Sequence, residues 1–233
     1  GHVDLCLGDN VKRVLDQHCA RAGERFCGVR MNTSFSAAGL FGAAAEPLAE
    51  FRLSDPNFIT GARVLAQQGL SLDVWCLHPQ LPQVLQLAQQ VPYLAIILNH
   101  VGTPDVRGVF AERQDEAMAE WRRHMLALSH APNVMVKLSG LGMDVAGPLR
   151  AETGGATPEQ LALAWKERVA FVIEAFGSSR CMFASNYPAE RSAGRYGAIW
   201  GAFKLLAAGC SETEKEQLFR TNAARAYHID LND

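Results

Sequence analysis

Residues 94–100, Leu94-Ala95-Ile96-Ile97-Leu98-Asn99-His100, place five apolar side chains in a row ahead of two polar ones. The apolar run is short and lacks the polar alternation of a strand that has one face in water. It therefore predicts a strand of a parallel sheet that is covered on both faces, with Asn99 and His100 at its carboxyl end.

Similar apolar runs recur along the chain, each rich in β-branched or aromatic residues and bounded by turn or polar signals. They lie at residues 26–30, 72–77, 134–138 and 181–184, and residues 2–7 form a sixth candidate strand. Amphipathic segments separate them, and their predicted starts are Asn10, Asp55-Pro56, Thr157-Pro158 and the capping box Ser211–Glu214. This alternation predicts a parallel α/β architecture, with Trp121 and Trp165 in its core.

Composition excludes several classes of protein. The 233 residues are 48% hydrophobic and 20% charged, with a formal net charge of −2, so we expect a globular protein with no nucleic-acid partner and no anionic-membrane partner. No apolar run approaches the roughly 18 residues of a membrane span. The six scattered cysteines lack metal-ligand spacing and predict buried thiols in a reducing, cytoplasmic compartment.

Polar residues follow almost every predicted strand. They include Arg30, His78, Asn99-His100, Lys137 with Ser139, and Ser185-Asn186. In a closed (β/α)8 barrel of the TIM type these strand ends meet on the catalytic face, whereas in an open doubly wound sheet they meet only at a switch point. No glycine-rich nucleotide fingerprint follows any strand. We therefore favour the barrel, although five or six strands are too few to close eight, and we see no boundary within a single domain of residues 1–233.

Each of these polar residues also has a structural interpretation. His78 and His100 are each compatible with an ordinary hydrogen-bonded loop histidine. Lys137 lies inside an apolar run, so its ammonium either reaches the strand end or pairs with a buried carboxylate. Arg30 is suited to a substrate carboxylate or to a neighbouring acidic residue. Asn186 is also a common turn former. The segment 142–157, which is rich in glycine, is either a loop over a site or a surface loop.

Taken in order, these segments resemble the amidohydrolase-2 family of TIM-barrel hydrolases, which includes lactonases. The resemblance rests on Gly28-Val29-Arg30, Leu98-Asn99-His100-Val101-Gly102-Thr103-Pro104, Val136-Lys137-Leu138-Ser139-Gly140, Ser185-Asn186-Tyr187-Pro188 and Asn222-Ala223-Ala224-Arg225. It implies a catalytic His100 and Asn186, and substrate contacts from Arg30, His78, Lys137 and Ser139. It also implies a divalent metal, Zn²⁺ or Mn²⁺, for which His100 is the candidate ligand.

The sequence departs from the family at two places. The family's His-x-His is absent from all 233 residues, so the first two βα units of the barrel are expected to be missing from this chain. Hydrolytic members commonly carry Asp where this chain has Asn186, and a neutral amide neither accepts the proton of an attacking water nor binds a divalent metal well. His100 is then the best remaining candidate for base or ligand.

Three functions follow from these observations and remain open at this point. The first is hydrolysis of a small carboxylated cyclic ester or amide by an activated water. The second is metal-assisted, non-oxidative decarboxylation of an aromatic acid, which the resemblance also allows. The third is a binding protein or inactive remnant without turnover. In each case the expected partner is a small molecule, and association into a homo-oligomer is left open.

Overall fold

In the part of the chain that the structure describes, five parallel strands form one sheet, and their order in space is their order along the chain. The structure is a computed structural model that describes residues 1–37, 39–40, 50–146 and 155–231. The strands are β1 (Gly28–Asn32), β2 (Ser71–Trp75), β3 (Ile96–Leu98), β4 (Val134–Leu138) and β5 (Cys181–Phe183). Sequential parallel order with right-handed crossovers puts every connecting helix on the same face, so the other face is the inside of a barrel-type sheet. The predicted α/β, TIM-barrel-type fold is confirmed.

Helices alternate with the strands. They are α1 (Val11–Ala22), α2 (Pro56–Gln67), α3 (Leu81–Gln90), α4 (Gln114–Ser129), α5 (Pro158–Phe176), α6 (Tyr196–Leu206), α7 (Glu212–Glu216) and α8 (Asn222–Tyr227). The predicted starts of three of them are confirmed by their caps. Asp55 accepts a hydrogen bond from the Asn57 backbone N–H at 2.7 Å, and capping boxes begin α5 at Thr157 and α7 at Ser211. None of the helices in the described ranges has the length and apolar character needed to cross a bilayer.

The main core lies between the outer face of the sheet and the helices. Trp121 of α4 and Trp165 of α5 are both fully buried there, which confirms their predicted place. Trp165 packs against Phe203 of α6 with the ring centroids 5.8 Å apart. At about 25 cal/mol per Å² of buried apolar surface, side chains of this size dominate the stability of the layer.

The inner face of the sheet is covered in part by α8. Ile97 and Met182 form a separate cluster with Ala226 of α8. Asn222, the first residue of α8, donates hydrogen bonds to the carbonyls of Ser178 and Cys181 at 2.7 Å each, just ahead of and at the start of β5. The helix therefore closes the amino end of the inner face, and the carboxyl ends of the strands carry the polar groups.

The expectation of a strand at residues 2–7 is wrong. Residues Leu5–Asn10 form a 3-10 turn, in which the Asp4 side chain accepts from the Cys6 backbone N–H at 3.0 Å. Gly8 takes φ of +58°, a left-handed value that glycine adopts without steric penalty. Strand-like pairing is instead found at Gly1, which exchanges two backbone hydrogen bonds of 2.9 Å with Gly28 and Arg30 along the edge of β1.

Two other expectations are settled only in part. Of the six cysteines, Cys76 and Cys181 are buried and Cys19 is exposed, so the prediction of buried thiols is wrong for Cys19. Half of the segment 142–157, residues 147–154, falls outside the described residues. Within it, the structure describes a 3-10 turn at Asp144–Ala146.

Candidate active site

His100 and Ser139 meet at the carboxyl edge of the sheet. His100 begins the turn after β3, and Ser139 directly follows β4, so the parallel pairing of these strands brings both residues to one edge. His100 Nδ1 lies 2.8 Å from Ser139 Oγ, and both side chains are buried. The backbone at His100 has φ of +57°, a left-handed conformation that is costly for a residue other than glycine and is frequent at functional sites.

The surroundings of His100 keep its imidazole uncharged. The ring lies edge-on to Trp75 with the centroids 6.1 Å apart, and a Cβ at Gly140 would overlap the His100 side chain. Burial, and then the positive charges of Arg30 and Lys137, lower the pKa of His100 to about 3. At neutral pH the ring therefore offers one N–H donor and one nitrogen acceptor.

Lys137 is held by a carboxylate on the inner face of the sheet. Its Nζ lies 2.5 Å from Oδ1 of Asp73 in β2, and the two side chains are 19% and 11% exposed. Tyr227 of α8 donates to both oxygens of Asp73, at 3.1 and 3.0 Å. Burial and the charge of Asp73 raise the pKa of Tyr227 far above its ordinary value, so its phenol remains a donor. Lys137 thus belongs to an ion pair and also contributes positive charge to the site.

Arg30 of β1 is placed differently from Lys137. It is the register neighbour of Asp73 and therefore faces the same side of the sheet. Its side chain is exposed, and among the residues that the structure describes its guanidinium has neither a hydrogen bond nor an ion pair. An unpaired guanidinium on a concave polar face is suited to a carboxylate ligand.

Asn186 follows β5 and contacts a buried carboxyl group that the sequence analysis missed. Its Nδ2 donates to Glu190 Oε1 at 3.4 Å, and its own backbone has φ of +50°. Glu190 is 1% exposed and also accepts from the Gly142 backbone N–H at 3.4 Å. Burial is the main cause that raises the pKa of Glu190 to about 7. The signal available in the sequence was an acidic residue four positions after a strand-end Asn.

His78 is fully buried behind the edge of the sheet. Its Nδ1 accepts from the Asp105 backbone N–H at 3.0 Å, and its backbone N–H donates to the Thr103 carbonyl at 3.0 Å. Its ring lies against Phe110, with the centroids 4.8 Å apart, and burial lowers its pKa to about 4. His78 therefore anchors the segment that follows His100, and none of its ring atoms is open to solvent.

Asn99 is a second residue that the sequence analysis left without a role. The alternation along β3 turns its side chain toward the inner face, since Ile97 faces inward and Leu98 faces the helices. The side chain is fully buried, and within the described ranges neither of its amide atoms has a hydrogen-bond partner. Such a group needs a partner, and a buried water is the simplest one.

The described residues do not by themselves fit a divalent metal. Among them there is no group of three or more His, Cys, Asp or Glu side chains arranged to hold one, whereas protein zinc sites use at least three protein ligands. His100 also has Nδ1 engaged by Ser139. What the structure does bring together is three pairs, His100 with Ser139, Lys137 with Asp73, and Asn186 with Glu190.

This chain is similar in sequence to known proteins. The family profile of the amidohydrolases, Amidohydro_2, matches residues 1–229. The uncharacterized protein y4mH of Sinorhizobium fredii is 35% identical over 229 residues, which are 98% of this chain and 69% of that protein. The L-fucono-1,5-lactonase of Burkholderia ambifaria is 28% identical over 183 residues, which are 76% of this chain. The match spans 57% of the length of that lactonase.

Solved structures share the fold. An amidohydrolase from Burkholderia multivorans, crystallised with bound zinc, superposes on this chain with a TM-score of 0.76 at 25% sequence identity. The superposition covers 99% of this chain and 72% of the Burkholderia chain. The 5-carboxyvanillate decarboxylase of Novosphingobium aromaticivorans, complexed with manganese, has a TM-score of 0.55 at 18% identity over 98% of this chain and 63% of its own. With the profile match over residues 1–229, the sheet order and the strand-end residues, we conclude that this chain belongs to the amidohydrolase family.

Proposed function

We propose that this protein hydrolyses a small carboxylated lactone, or the corresponding cyclic amide, at the carboxyl edge of its sheet. Membership of the amidohydrolase family supports a hydrolase or a related lyase. Two relatives named L-fucono-1,5-lactonase, from Burkholderia ambifaria and Burkholderia multivorans, are 28% and 30% identical and support the choice of a lactone. The observation that carries the proposal is the uncharged His100. Its side chain is hydrogen-bonded to Ser139, and the positive charges of Arg30 and Lys137 act on it.

His100 acts on the carbonyl group in this proposal. We assign the Ser139 hydroxyl as the donor to Nδ1. The ring proton then lies on Nε2, and that N–H donates to the lactone carbonyl oxygen. A pKa of about 3 makes His100 a weak base, so it polarises the carbonyl rather than removing a proton from water. Water adds to the carbonyl carbon, the ring C–O bond breaks, and the ring oxygen takes the proton that water loses. The product is a hydroxy acid, which releases one proton to solvent.

The remaining residues bind and orient. Arg30 binds the substrate carboxylate, and Lys137, although paired with Asp73, adds positive charge near the developing oxyanion. Asn186 orients the attacking water. His78 acts on the substrate only through the segment it anchors after His100. No step is assigned to a metal, because the described residues do not form a site for one.

The test is a proton-release assay on the purified protein, with and without added Zn²⁺ or Mn²⁺. The probes are L-fucono-1,5-lactone, a carboxylated pyrone lactone and 2,6-dihydroxybenzoate, the last with detection of CO₂. We expect proton release from a lactone, and a decrease of about 100-fold or more in His100→Asn because a charge-stabilising donor is lost. His130→Asn, at the exposed end of α4, is the matched control and should retain the wild-type rate.

Two results would overturn the proposal in different directions. Release of CO₂ from the aromatic acid without lactone hydrolysis would identify a decarboxylase, in line with the fold shared with 2,6-dihydroxybenzoate decarboxylase. Binding of the probes in calorimetry without turnover of any of them would identify a binding protein.

A further inference from the structure

We propose that Glu190 is a positioning residue that fixes the Asn186 side chain so that its amide oxygen, an acceptor, faces the attacking water. The catalytic meaning of this inference rests on the proposed hydrolysis, whereas the geometry does not. An ionised carboxylate only accepts hydrogen bonds, so the Asn186 atom that faces Glu190 Oε1 has to be Nδ2. The Oδ1 atom is left for the open side, and in the described part of the chain it has no partner.

The Glu190 carboxyl group bridges two loops at the edge of the sheet. Its second oxygen, Oε2, accepts from the Gly142 backbone N–H at 3.4 Å in the loop after β4. Its own backbone is fixed in the loop after β5, since its N–H donates to the Asn186 carbonyl at 3.3 Å and its carbonyl accepts from Ala193 and Gly194 at 3.0 and 3.3 Å. The loop that carries Asn186 is thereby joined to the loop that follows Ser139.

Close packing keeps this bridge in place. A Cβ at Gly142 would overlap the Ala193 side chain, so only glycine allows the two loops to approach as they do. On the other side of the post-β4 loop, Arg168 of α5 donates to the carbonyls of Leu141 and Ala146 at 3.2 and 3.1 Å. Arg168 is the cation whose charge acts on Glu190, and it favours the ionised carboxylate.

Joining two loops through a buried carboxyl group carries a desolvation penalty. Removing an ionised carboxylate from water opposes folding, and the raised pKa of Glu190 reflects that opposition. Main-chain hydrogen bonds or apolar packing would hold the loops at lower cost. Above its pKa of about 7 the ionised Glu190 carboxylate supplies in addition a group that only accepts hydrogen bonds, and such a group gives the neighbouring amide one orientation. A neutral amide at position 190 would satisfy Asn186 in either orientation.

The experiment observes the Asn186 amide directly by NMR of side-chain ¹⁵N–H₂ groups, assigned with Asn186→Ala. Wild type, Glu190→Gln and the matched control Glu174→Gln, on the exposed face of α5, are compared at pH 8. We expect the Asn186 amide resonances to move in Glu190→Gln and to stay at their wild-type positions in the control. Glu190→Asp, which keeps the charge but shortens the side chain, serves if Glu190→Gln does not fold, and should also move them. Unchanged Asn186 resonances in the folded Glu190 variants would refute the inference.

An activity measurement then separates positioning from loop anchoring. We expect Glu190→Gln to lower kcat for lactone hydrolysis by about tenfold, with KM changed less than about twofold, because misorientation of a water-binding group acts mainly on the chemical step. A higher KM with unchanged kcat would contradict the positioning role. If no lactone is hydrolysed by wild type but the NMR result holds, the proposed function fails and the orientation of Asn186 stands. Lactone hydrolysis with unchanged NMR resonances gives the reverse conclusion.

Discussion

The burial of His78 predicts that mild acid destabilises this protein. His78 is 0% exposed, and its Nδ1 already accepts the Asp105 N–H. Protonation puts a hydrogen on Nδ1, where it faces the Asp105 N–H donor, and it leaves the imidazolium charge buried without solvation. Burial is the main cause of the lowered pKa of about 4, and Glu120 and Asp105 offset only part of it. The unfolded chain, by contrast, protonates His78 near its ordinary value of about 6.5.

The sign and size follow from proton linkage. Between pH 6.5 and 4 the unfolded state binds more protons at His78 than the folded state does, so the free energy of unfolding falls as the pH falls. With pKa values of about 4 and about 6.5, His78 alone removes about 2 kcal/mol between pH 7 and pH 4.5. His100 adds a loss of the same sign, since burial also lowers its pKa.

The assay is urea unfolding at pH 7 and at pH 4.5, with His78→Asn as the perturbation. The Asn oxygen replaces Nδ1 as acceptor for Asp105, and the smaller side chain costs about 1–2 kcal/mol at pH 7. We expect this deficit to vanish at pH 4.5, because the variant has no imidazole to protonate. His130→Asn, exposed at the end of α4, is the control and should keep the wild-type pH dependence. If His78→Asn loses as much stability as wild type between these pH values, the assignment of the acid sensitivity to His78 is refuted.

Three further substitutions probe the charges and the backbone of the site, by urea unfolding and steady-state kinetics. Arg30→Met should raise KM for a carboxylated lactone by about 10- to 100-fold at unchanged stability, since its guanidinium is exposed and supplies charge-assisted hydrogen bonds; an unchanged KM would remove Arg30 from the site. Lys137→Met should lower stability by about 3 kcal/mol, because Asp73 stays buried without its cation; full stability with impaired kinetics would show instead that Lys137 serves the substrate. Gly140→Ala should cost about 1–3 kcal/mol and lower kcat, because its φ is +67° and the added Cβ meets His100; wild-type stability and rate would contradict that contact.

The pattern of apolar residues was sufficient to predict most of the strands, but it failed at residues 2–7. The run at residues 134–138 coincides with β4, because a short apolar run between helices fits a strand covered on both faces. Residues 2–7 show a similar pattern, yet they turn. The Asp4 side chain accepts a hydrogen bond from a backbone N–H within the turn, and Gly8 adopts a positive φ. Both features stabilise a turn in place of strand pairing, and a pattern of apolar residues does not reveal them.

The sequence was sufficient to predict where the site residues lie on the sheet, but not which side chains they pair with. Parallel strands end at one edge, so His100 and Ser139 were expected near each other, and they are 2.8 Å apart. The carboxylate of Lys137 is 64 residues away along the chain, and nothing in the local sequence marks Asp73 as its partner. The sequence shows Glu190 only as an acidic residue four positions after Asn186, and its burial is apparent only in the structure, where two loops pack together.

Because the strands lie in the sheet in their chain order, each strand–helix unit is joined to the sheet through its neighbours along the chain. Among the described residues, each strand pairs only with the strands that precede and follow it in the chain. A division of the polypeptide in the exposed segment 111–113 therefore interrupts a single ladder. That ladder joins Ile96 to Val134 and Leu98 to Val136, and all the other ladders remain inside one half or the other. Two halves made separately therefore keep the information needed to dock along one seam, whereas an interleaved sheet would have to be rebuilt strand by strand.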